Sequence, residues 1–469
     1  MPPKRHNNRK RNPGRTARSR RSHHRRIKKS LMAKCAPPVE ESFLFDDMKP
    51  VVIARPDHCI SRKNIDREAL KVLYRLKDHG FLAYLVGGSV RDLLLGKTPK
   101  DFDIGTNARP EEIKRLFHYS RIIGKRFRLV HVYFKGGKII EVSTFRRQSD
   151  FADREALREG IESDDIYGSP REDAFRRDLT INGLFYNIAD FSIIDYVGGM
   201  DDLKAGIIRT IGEPERRFLR DPVRMMRAVR HAARTGFRIE PATWQAICTH
   251  ADKIRLCAIP RVRDEWLKDL RSGASSIWAG YMIDSGLMGA VFPAFSRIME
   301  KVGHERFRSI VTGMLKEVDL LVKKGQELSD AFYLAAFALG ALHYLPQWQS
   351  LASQRVRWPT YEVRFLLDDL LMPYDFKKAD RDLVSQLLSS QWPIEYCKGT
   401  GRWQKRVWSK ATFPEALILH NCLMRALGEA EVVVQASGGG KRPRKRRRKR
   451  GRKRSRTSKK AAVQEDGTK

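Results

Sequence analysis

A short apolar run, residues 81–86, ends in Gly87-Gly88 and leads directly into a helix-forming segment, residues 89–95, and this feature constrains the chain most. It predicts a strand, a tight turn and a helix, because two glycines let the backbone turn sharply and approach a ligand closely. The free N–H groups at the start of such a helix form a natural phosphate site. Arg91 would add a positive charge one turn into the helix. We therefore expect an α/β sheet with an anion-binding turn.

Two carboxylates follow this turn. Asp101 and Asp103 flank Phe102 in a run, residues 101–104, that predicts a strand. Alternate residues of a strand face the same side, about 6.7 Å apart along the chain, so both carboxylates are expected on one face. Paired carboxylates can hold hard divalent cations for nucleotidyl transfer. A lone acid pair is more often exposed charge at a sheet edge, but its position after the turn favours a metal site.

Strand and helix patterns alternate near this turn and later give way to helices. The alternation predicts a small mixed α/β sheet, and no strand pattern follows residue 211. The expected fold class is an α/β head followed by an all-α neck and body. Further strands are expected at 129–134 and 139–145, and helices at 61–79, 110–117, 221–234, 241–254, 260–270, 307–323, 328–343 and 361–371.

The charge of the chain is concentrated at its two ends. Among 469 residues, 92 Lys and Arg face 55 Asp and Glu, a formal net charge of +37. Residues 1–30 carry 13 Lys or Arg and residues 441–460 carry 15, both without an acid. Such segments lack the apolar surface needed to fold alone and attract polyanions, above all nucleic acid. We therefore expect disordered basic tails around a moderately basic body.

Several classes of protein are excluded by what the chain lacks. No apolar run approaches the ~18–20 residues of a membrane helix, so no membrane association is expected. The six cysteines are scattered without a CxxC pair, which argues against a disulfide framework or zinc knuckle and suits a cytoplasmic protein. The Arg-rich start lacks the apolar core of a secretory signal; an organellar transit peptide stays open.

Four more motifs follow the turn and the acid pair in order, at residues 141–146, 176–183, 195–199 and 221–228. With residues 87–92 and 101–103 they resemble the signature of class II nucleotidyltransferases. This family comprises bacterial poly(A) polymerases and CCA-adding enzymes and belongs to the polymerase-β-like superfamily. The resemblance covers residues 60–270, and the later helical part matches it only in general character.

The resemblance implies a role for each matching residue. Asp101 and Asp103 would hold two Mg²⁺ ions, Asp178 would belong to the catalytic machinery, and ATP would be the substrate. Nucleotide-binding residues would be Gly88, Arg91, Arg177, Asp221, Arg224 and Arg227. Arg224 and Arg227, three apart on a helix, could read a base edge or a phosphate. Glu141 would be either a third carboxylate or the partner of a neighbouring arginine.

Two features bear on which member of the family this chain resembles. Residues 124–132 resemble the poly(A) polymerase version of this loop and strand, and a basic tail suits an enzyme that grips unrelated RNA 3′ ends. Arg220 stands where the family often has Glu, so the contacts that select the base are expected to differ. We expect template-independent polyadenylation that promotes RNA turnover; CCA addition is the alternative, and a non-catalytic RNA-binding protein a third.

The expected organisation follows from these patterns. The partners would be RNA 3′ ends of unrelated sequence and RNA-degradation machinery, and the protein would act as a monomer. The expected segments are a disordered basic arm at 1–40, a nucleotidyltransferase head at 55–213, a nucleotide- and RNA-binding helical neck at 214–275, a helical RNA-binding body at 276–435 and a disordered basic tail at 436–469.

Overall fold

The structure is a computed structural model, and it describes residues 49–124, 128–147, 167–353, 359–400 and 403–432. The predicted basic arm and basic tail lie outside the described residues, as do three residues, 125–127, of the loop compared above. The described chain has a mixed α/β head followed by a helical body, as the sequence predicts. Each helix in the described ranges is too short or too polar to cross a lipid bilayer.

Eight strands form one sheet in the order β1-β8-β7-β2-β3-β6-β5-β4. Neighbouring strands are antiparallel except β3 and β6, which run parallel. The strands are β1 (Val51–Ile53), β2 (Ala83–Val86), β3 (Asp103–Thr106), β4 (Ser120–Ile123), β5 (Leu129–Tyr133), β6 (Ile139–Thr144), β7 (Leu184–Asn187) and β8 (Ile193–Asp195).

Helix α1 (Arg67–Asp78) covers one face of this sheet. Asp66 caps the helix by accepting hydrogen bonds from the backbone N–H groups of Glu68 and Ala69, which satisfies two of its unpaired donors. Its buried side packs on β2, β3 and β6 through Ala69, Val72, Leu73 and Leu76. Full burial of a Val or Leu side chain contributes about 1.5–3 kcal/mol, so this face is closed to a ligand.

The opposite face of the sheet is open around its acidic residues. In β3 and β6 the residues alternate, so Ile104 and Val142 are buried while Asp103 and Glu141 point to the other side. The acids therefore lie on the face that α1 does not cover.

The other helices of the head are α2 (Gly88–Leu94), α3 (Pro110–Leu116), α4 (Pro170–Arg176) and α5 (Gly199–Ala205).

Helices build the rest of the described chain around an aromatic core. Trp266 and Phe337 stack with ring centroids 6.1 Å apart, and Phe292 meets both rings. Trp348 is buried against Trp392, whereas Trp408 is half exposed. The helices are α6 (Pro214–Arg220), α7 (Val223–Thr235), α8 (Pro241–His250), α9 (Ile259–Leu270), α10 (Ser275–Asp284), α11 (Leu287–Val291), α12 (Pro293–Val302), α13 (His304–Lys323), α14 (Asp330–Leu342), α15 (Pro346–Ser353), α16 (Thr360–Leu370), α17 (Lys378–Ser389), α18 (Gln391–Thr400), α19 (Lys405–Trp408) and α20 (Phe413–Leu427).

Four sequence predictions need correction. The helix expected at 61–79 begins only at Arg67, where Asp66 caps it. The strand expected at 101–104 begins only at Asp103, because its partner β2 ends at Val86 where Gly87 turns the chain. The helix expected at 221–234 begins at Val223, since a residue before proline, here Asp221, avoids helical geometry. A strand does follow residue 211: β10 (Arg238–Ile239) pairs parallel with β9 (Ile207–Ile208), and two residues are too few to give a pattern.

Candidate active site

The Gly-Gly turn brings the backbone against an arginine. Gly87 has φ 70° and ψ −135°, a conformation that side-chain-bearing residues rarely adopt. A Cβ at Gly87 would lie 3.0 Å from Nη1 of Arg177. The Ser89 hydroxyl donates to the carbonyl of Val86 at 2.9 Å and closes the turn. Glycine is therefore required here for its backbone angle and for the space it leaves to Arg177.

The acidic wall of the site is formed by neighbouring strands. Asp103 of β3 pairs with Val86 of β2 on one side and with Glu141 of β6 on the other. Asp103 is open to the cavity, but partial desolvation by the surrounding protein, with the nearby carboxylates of Glu141 and Asp101, raises its pKa to about 6, although Arg177 acts in the opposite direction. A cluster of carboxylates with a raised pKa is a typical cation or catalytic site.

The position of Asp101 and the partner of Glu141 differ from those predicted from the sequence. Asp101 is exposed and precedes β3, so the two aspartates do not alternate on one strand, although Asp101 is only two residues before Asp103 in the chain. Glu141 was expected to be either a third carboxylate or an arginine partner. Its Oε1 lies 3.2 Å from Nε2 of His131 on the adjacent strand, and it lines the same cavity as Asp103.

Two arginines at the end of α4 face the acids. Arg176 and Arg177 both line the cavity and both pair with the buried carboxylate of Asp173. The guanidinium of Arg177 also lies over the ring of Phe185, 5.2 Å from its centroid. The cavity lining therefore contains carboxylates from the sheet and fixed guanidiniums from the end of α4, a combination suited to a ligand that carries both phosphates and cations.

Asp178 is a buried residue of the cavity lining and forms an ion pair with Arg227. The Asp178 Oδ2 and Arg227 Nε atoms are 2.7 Å apart, and Oδ1 accepts from the backbone N–H of Leu179 and from the Asn182 side chain. Burial alone would raise the pKa of Asp178, but Arg227 and Arg224 together hold it below its ordinary range. Asp178 is therefore ionised and fixed.

Arg91 does not reach the cavity surface. It is 4% exposed, and its guanidinium donates to Asp92, to Asn182 Oδ1 at 2.7 Å and to Nδ1 of His231 at 3.1 Å. Burial and Arg91 hold the pKa of His231 well below its ordinary value, so the ring is neutral and accepts this bond at Nδ1. These partners hold Arg91 behind the turn, where it supports Asn182; a contact between Arg91 and a triphosphate stays a prediction.

Arg224 and Asp221 close the side of the cavity formed by α7. Arg224 donates to the carbonyls of Arg176 and Arg177 at 3.0 and 2.9 Å, which caps the C-terminal end of α4. Both carboxylate oxygens of Asp221 accept from Arg261 of α9, each at 2.8 Å. Arg220, the departure from the family pattern, is exposed and does not line this cavity.

These residues surround a cavity of about 350 Å³, within the usual range for small-molecule sites. Its acids are Asp103, Glu141, Asp178 and Asp221, and its arginines are Arg176, Arg177, Arg224 and Arg227. Gly88 also lines the cavity, whereas Asp101 and Arg91 do not. The structure thus brings together most of the residues singled out from sequence across a wide stretch of chain.

Sequence reasoning assigned no role to several residues at the site. Arg176, Asn182 and Ser143 line the cavity, and Asp173 and His231 support it from behind. The spacing of Asp173, three and four residues before the two arginines, is the one signal that could have identified it, because such residues are neighbours on a helix. His231 carries no such signal, since its partner Arg91 is 140 residues away.

The donor set fits Mg²⁺ in part. Among the described residues, no three His, Cys, Asp or Glu side chains converge on a point that could hold a metal ion. Mg²⁺ is commonly bound by one or two carboxylates with waters and substrate phosphates completing its shell. Asp103, with Glu141 beside it on the next strand or with Asp101, would hold Mg²⁺ in that mode, with phosphate oxygens of the substrate completing the shell.

Comparisons with known proteins agree with this geometry. The family model described as "Poly A polymerase head domain" matches residues 83–209, and "Probable RNA and SrmB- binding site of polymerase A" matches residues 236–299. Poly(A) polymerase I of Escherichia coli O6:H1 is 40% identical over 393 residues, 82% of this chain and 83% of that protein. The CCA-adding enzyme of Lactobacillus helveticus is 42% identical over 201 residues, 43% of this chain and 49% of that protein. A solved structure of a CCA-adding enzyme, apo form II, has a TM-score of 0.52 at 21% identity and covers 78% of this chain and 81% of that chain, which shows the shared fold.

Proposed function

The chain belongs to the poly(A) polymerase family of RNA nucleotidyltransferases, and we propose that it extends RNA 3′ ends with adenylate from ATP without a template. In this reaction the RNA 3′ oxygen attacks the α-phosphate of ATP and pyrophosphate leaves. The observation that carries the proposal is the extent of the likeness. Similarity to the poly(A) polymerase runs through 82% of this chain, including the helical body, whereas similarity to the CCA-adding enzyme covers 43%.

The two walls of the cavity have different parts in this proposal. Asp103 and Asp101 would hold Mg²⁺, which supplies charge neutralisation and activation of the attacking hydroxyl. Arg176 and Arg177 bind the phosphates and stabilise the negative charge that passes to pyrophosphate. The Gly87-Gly88 turn lets the backbone approach the same phosphates without a Cβ in the way.

The α7 side of the cavity would hold the nucleoside. Asp178 keeps Arg227 in place through their 2.7 Å ion pair, and Asp221 is held by Arg261. These fixed donors and acceptors give the pocket a defined edge, which can distinguish adenine from cytosine by size and by hydrogen-bonding order. Since Arg220 replaces the usual Glu of the family, we expect preference for ATP in place of absolute exclusion of CTP.

RNA would reach the cavity along the basic helical region. The residues that match the RNA-binding family model begin at 236, directly after α7, so the RNA site adjoins the nucleotide site along the chain. In a bacterium like those of the relatives, RNA and ATP meet in the cytoplasm, where we place the reaction. A single-stranded tail gives degradative enzymes a 3′ end to start from, so promotion of RNA turnover is part of the proposal.

The test is incubation of the purified chain with unstructured RNA, Mg²⁺ and each nucleoside triphosphate separately. We expect long tails with ATP, poor incorporation of the other three and no extension when a chelator removes the metal. A tRNA that lacks its CCA end serves as the second substrate. Addition of cytidylate to this tRNA, followed by one adenylate and arrest, would establish the alternative, CCA addition, which the similarity of the head alone does not exclude.

A further inference from the structure

We propose that Asp173 is a positioning residue for the nucleotide's phosphates: it holds the guanidiniums of Arg176 and Arg177 at the cavity wall in the orientation in which they bind phosphate. The inference rests on the proposed function, because it takes the ligand of the cavity to be a nucleoside triphosphate. Asp173 itself does not line the cavity, so it acts through the two arginines.

Both oxygens of the Asp173 carboxylate are used by the arginines. Its Oδ1 accepts from Nε of Arg176 at 2.7 Å, and its Oδ2 accepts from Nη2 and Nε of Arg177 at 2.7 and 3.1 Å. The backbone N–H of Arg146 also donates to Oδ1, at 3.3 Å. Asp173 is 2% exposed, so water does not compete for these bonds and the carboxylate is fixed.

The carboxylate allows two like charges to share one wall of the cavity. Arg176 and Arg177 are adjacent in the chain and would repel each other at close range. Although burial alone would raise the pKa of Asp173, the charges of Arg177 and Arg176 lower it below its ordinary value, so the carboxylate is ionised between them. Charge-assisted hydrogen bonds of this kind are strong and directional.

The contacts leave parts of each guanidinium available to an anion. Arg176 donates to Asp173 through Nε. Asp173 therefore does not occupy the two terminal nitrogens of Arg176, and this side chain is one-third exposed. Arg177 turns Nη1 towards Gly87, where a Cβ would lie 3.0 Å away; one N–H of Nη1 donates to the carbonyl of Asn182 at 3.4 Å, which leaves its other N–H for an anion. The phosphate-facing atoms are therefore those that Asp173 does not take.

Two roles for Asp173 predict opposite changes in triphosphate affinity for the same substitution, Asp173→Asn. If the carboxylate mattered only as a negative charge near the site, Asp173→Asn would make the cavity more positive and tighten triphosphate binding. If it positions the arginines, the same change releases both guanidiniums and weakens binding in spite of the added positive charge. The sign of the change therefore separates the two.

The experiment measures equilibrium binding of ATP, ADP and AMP to the full chain with Mg²⁺ and without RNA. For Asp173→Asn we expect ATP affinity to fall about tenfold or more, ADP affinity to fall less, and AMP affinity to stay near that of the wild type. Asp202→Asn is the matched control: it also removes a buried carboxylate paired with an arginine, Arg209, but away from the cavity lining, and should leave all three affinities unchanged.

Each outcome decides the inference. If the wild type binds no ATP, the proposed function fails and takes this inference with it. If the wild type binds ATP and Asp173→Asn binds it equally or more tightly, only the inference is overturned. Should Asp173→Asn fail to fold, Asp173→Glu keeps the charge but moves it by one methylene, and is expected to show the same selective loss for ATP; unchanged ATP affinity in that variant overturns the inference.

Discussion

Gly87 carries two constraints at once, and they can be separated by experiment. Gly87→Ala places a Cβ 3.0 Å from Nη1 of Arg177 and forces a side chain into the φ +70° region. We expect a loss of about 1–3 kcal/mol in the free energy of unfolding from backbone strain and weaker ATP binding, because Arg177 must move. Thermal denaturation and equilibrium ATP binding measure the two effects.

The control is Gly96→Ala, which also forces a side chain to a positive φ, +68°, but has open space around the new Cβ. It should lower stability while leaving ATP affinity unchanged. Equal loss of ATP affinity in both variants would show that strain alone, without the contact to Arg177, explains the requirement for glycine.

Asp103 and Asp101 give the most direct test of metal-dependent chemistry. Asp103→Ala is expected to reduce nucleotide addition more than about 100-fold, beyond what loss of an outer partner of a metal ligand costs, while RNA binding and the melting temperature change little. Asp101→Ala should also abolish addition. Asp252→Ala, an exposed acid in the helical region, is the control; near-normal turnover in either test variant contradicts the metal assignment.

At the scale of elements, α7 connects the cavity to the body. Its first turns carry Arg224 and Arg227 to the nucleotide cavity, and its later turns carry Arg230 to α9. Arg230 is 8% exposed and pairs with Glu265 and with Asp269, which is 1% exposed. The helix that shapes the nucleotide pocket is thus anchored by a buried ion-pair cluster.

Loss of Arg230 should release this anchor. Arg230→Met leaves two carboxylates with no cation between them, and breaking a buried pair in this way costs about 3–5 kcal/mol. Burial raises the pKa of Asp269 to about 6 even with Arg230 beside it, and removal of Arg230 raises it further. A carboxyl group whose pKa is raised in the folded state adds stability as the pH falls. The free energy of unfolding of Arg230→Met should therefore lie furthest below that of the wild type above pH 6, and the difference should shrink on acidification.

Denaturation of Arg230→Met and the wild type at several pH values checks this prediction. Arg234→Met, on the same helix but exposed, should differ little from the wild type at any pH. A deficit for Arg230→Met that is independent of pH would show that lost packing, and not the buried carboxylates, is responsible.

At the scale of the whole molecule, the basic tail should set the salt dependence of RNA binding. Deletion of residues 441–469 removes a segment with 16 Lys or Arg. For single-stranded RNA, the slope of log affinity against log salt is about −0.7 per phosphate neutralised, so the deletion should weaken binding and flatten this slope. The measurement is RNA affinity across a salt series; an identical slope after deletion means that the tail does not touch RNA.

The parts of the fold that the sequence predicted are those that depend on near neighbours. The turn at Gly87, α1 and α3 follow from glycine, caps and apolar spacing within one segment. Strands β7 and β8 had no such prediction, because their short runs are recognisable as strands only beside β2 and β1. The prediction that Asp101 lies on a strand was wrong for a similar reason. Asp101 and Asp103 alternate in the sequence as strand residues do, but β2 ends at Val86, opposite Asp103, and has no residue that pairs with Asp101.

The sequence by itself determined the inventory of the site: a glycine turn, carboxylates and arginines in a fixed order. Only the tertiary structure decided which of these charges face the cavity. It turned Arg91 inward to His231, set Glu141 beside Asp103 and placed Asp173 behind two arginines. The physical reason is that a charged side chain goes where its partners and its hydration allow, and those partners lie on other elements, far away along the chain.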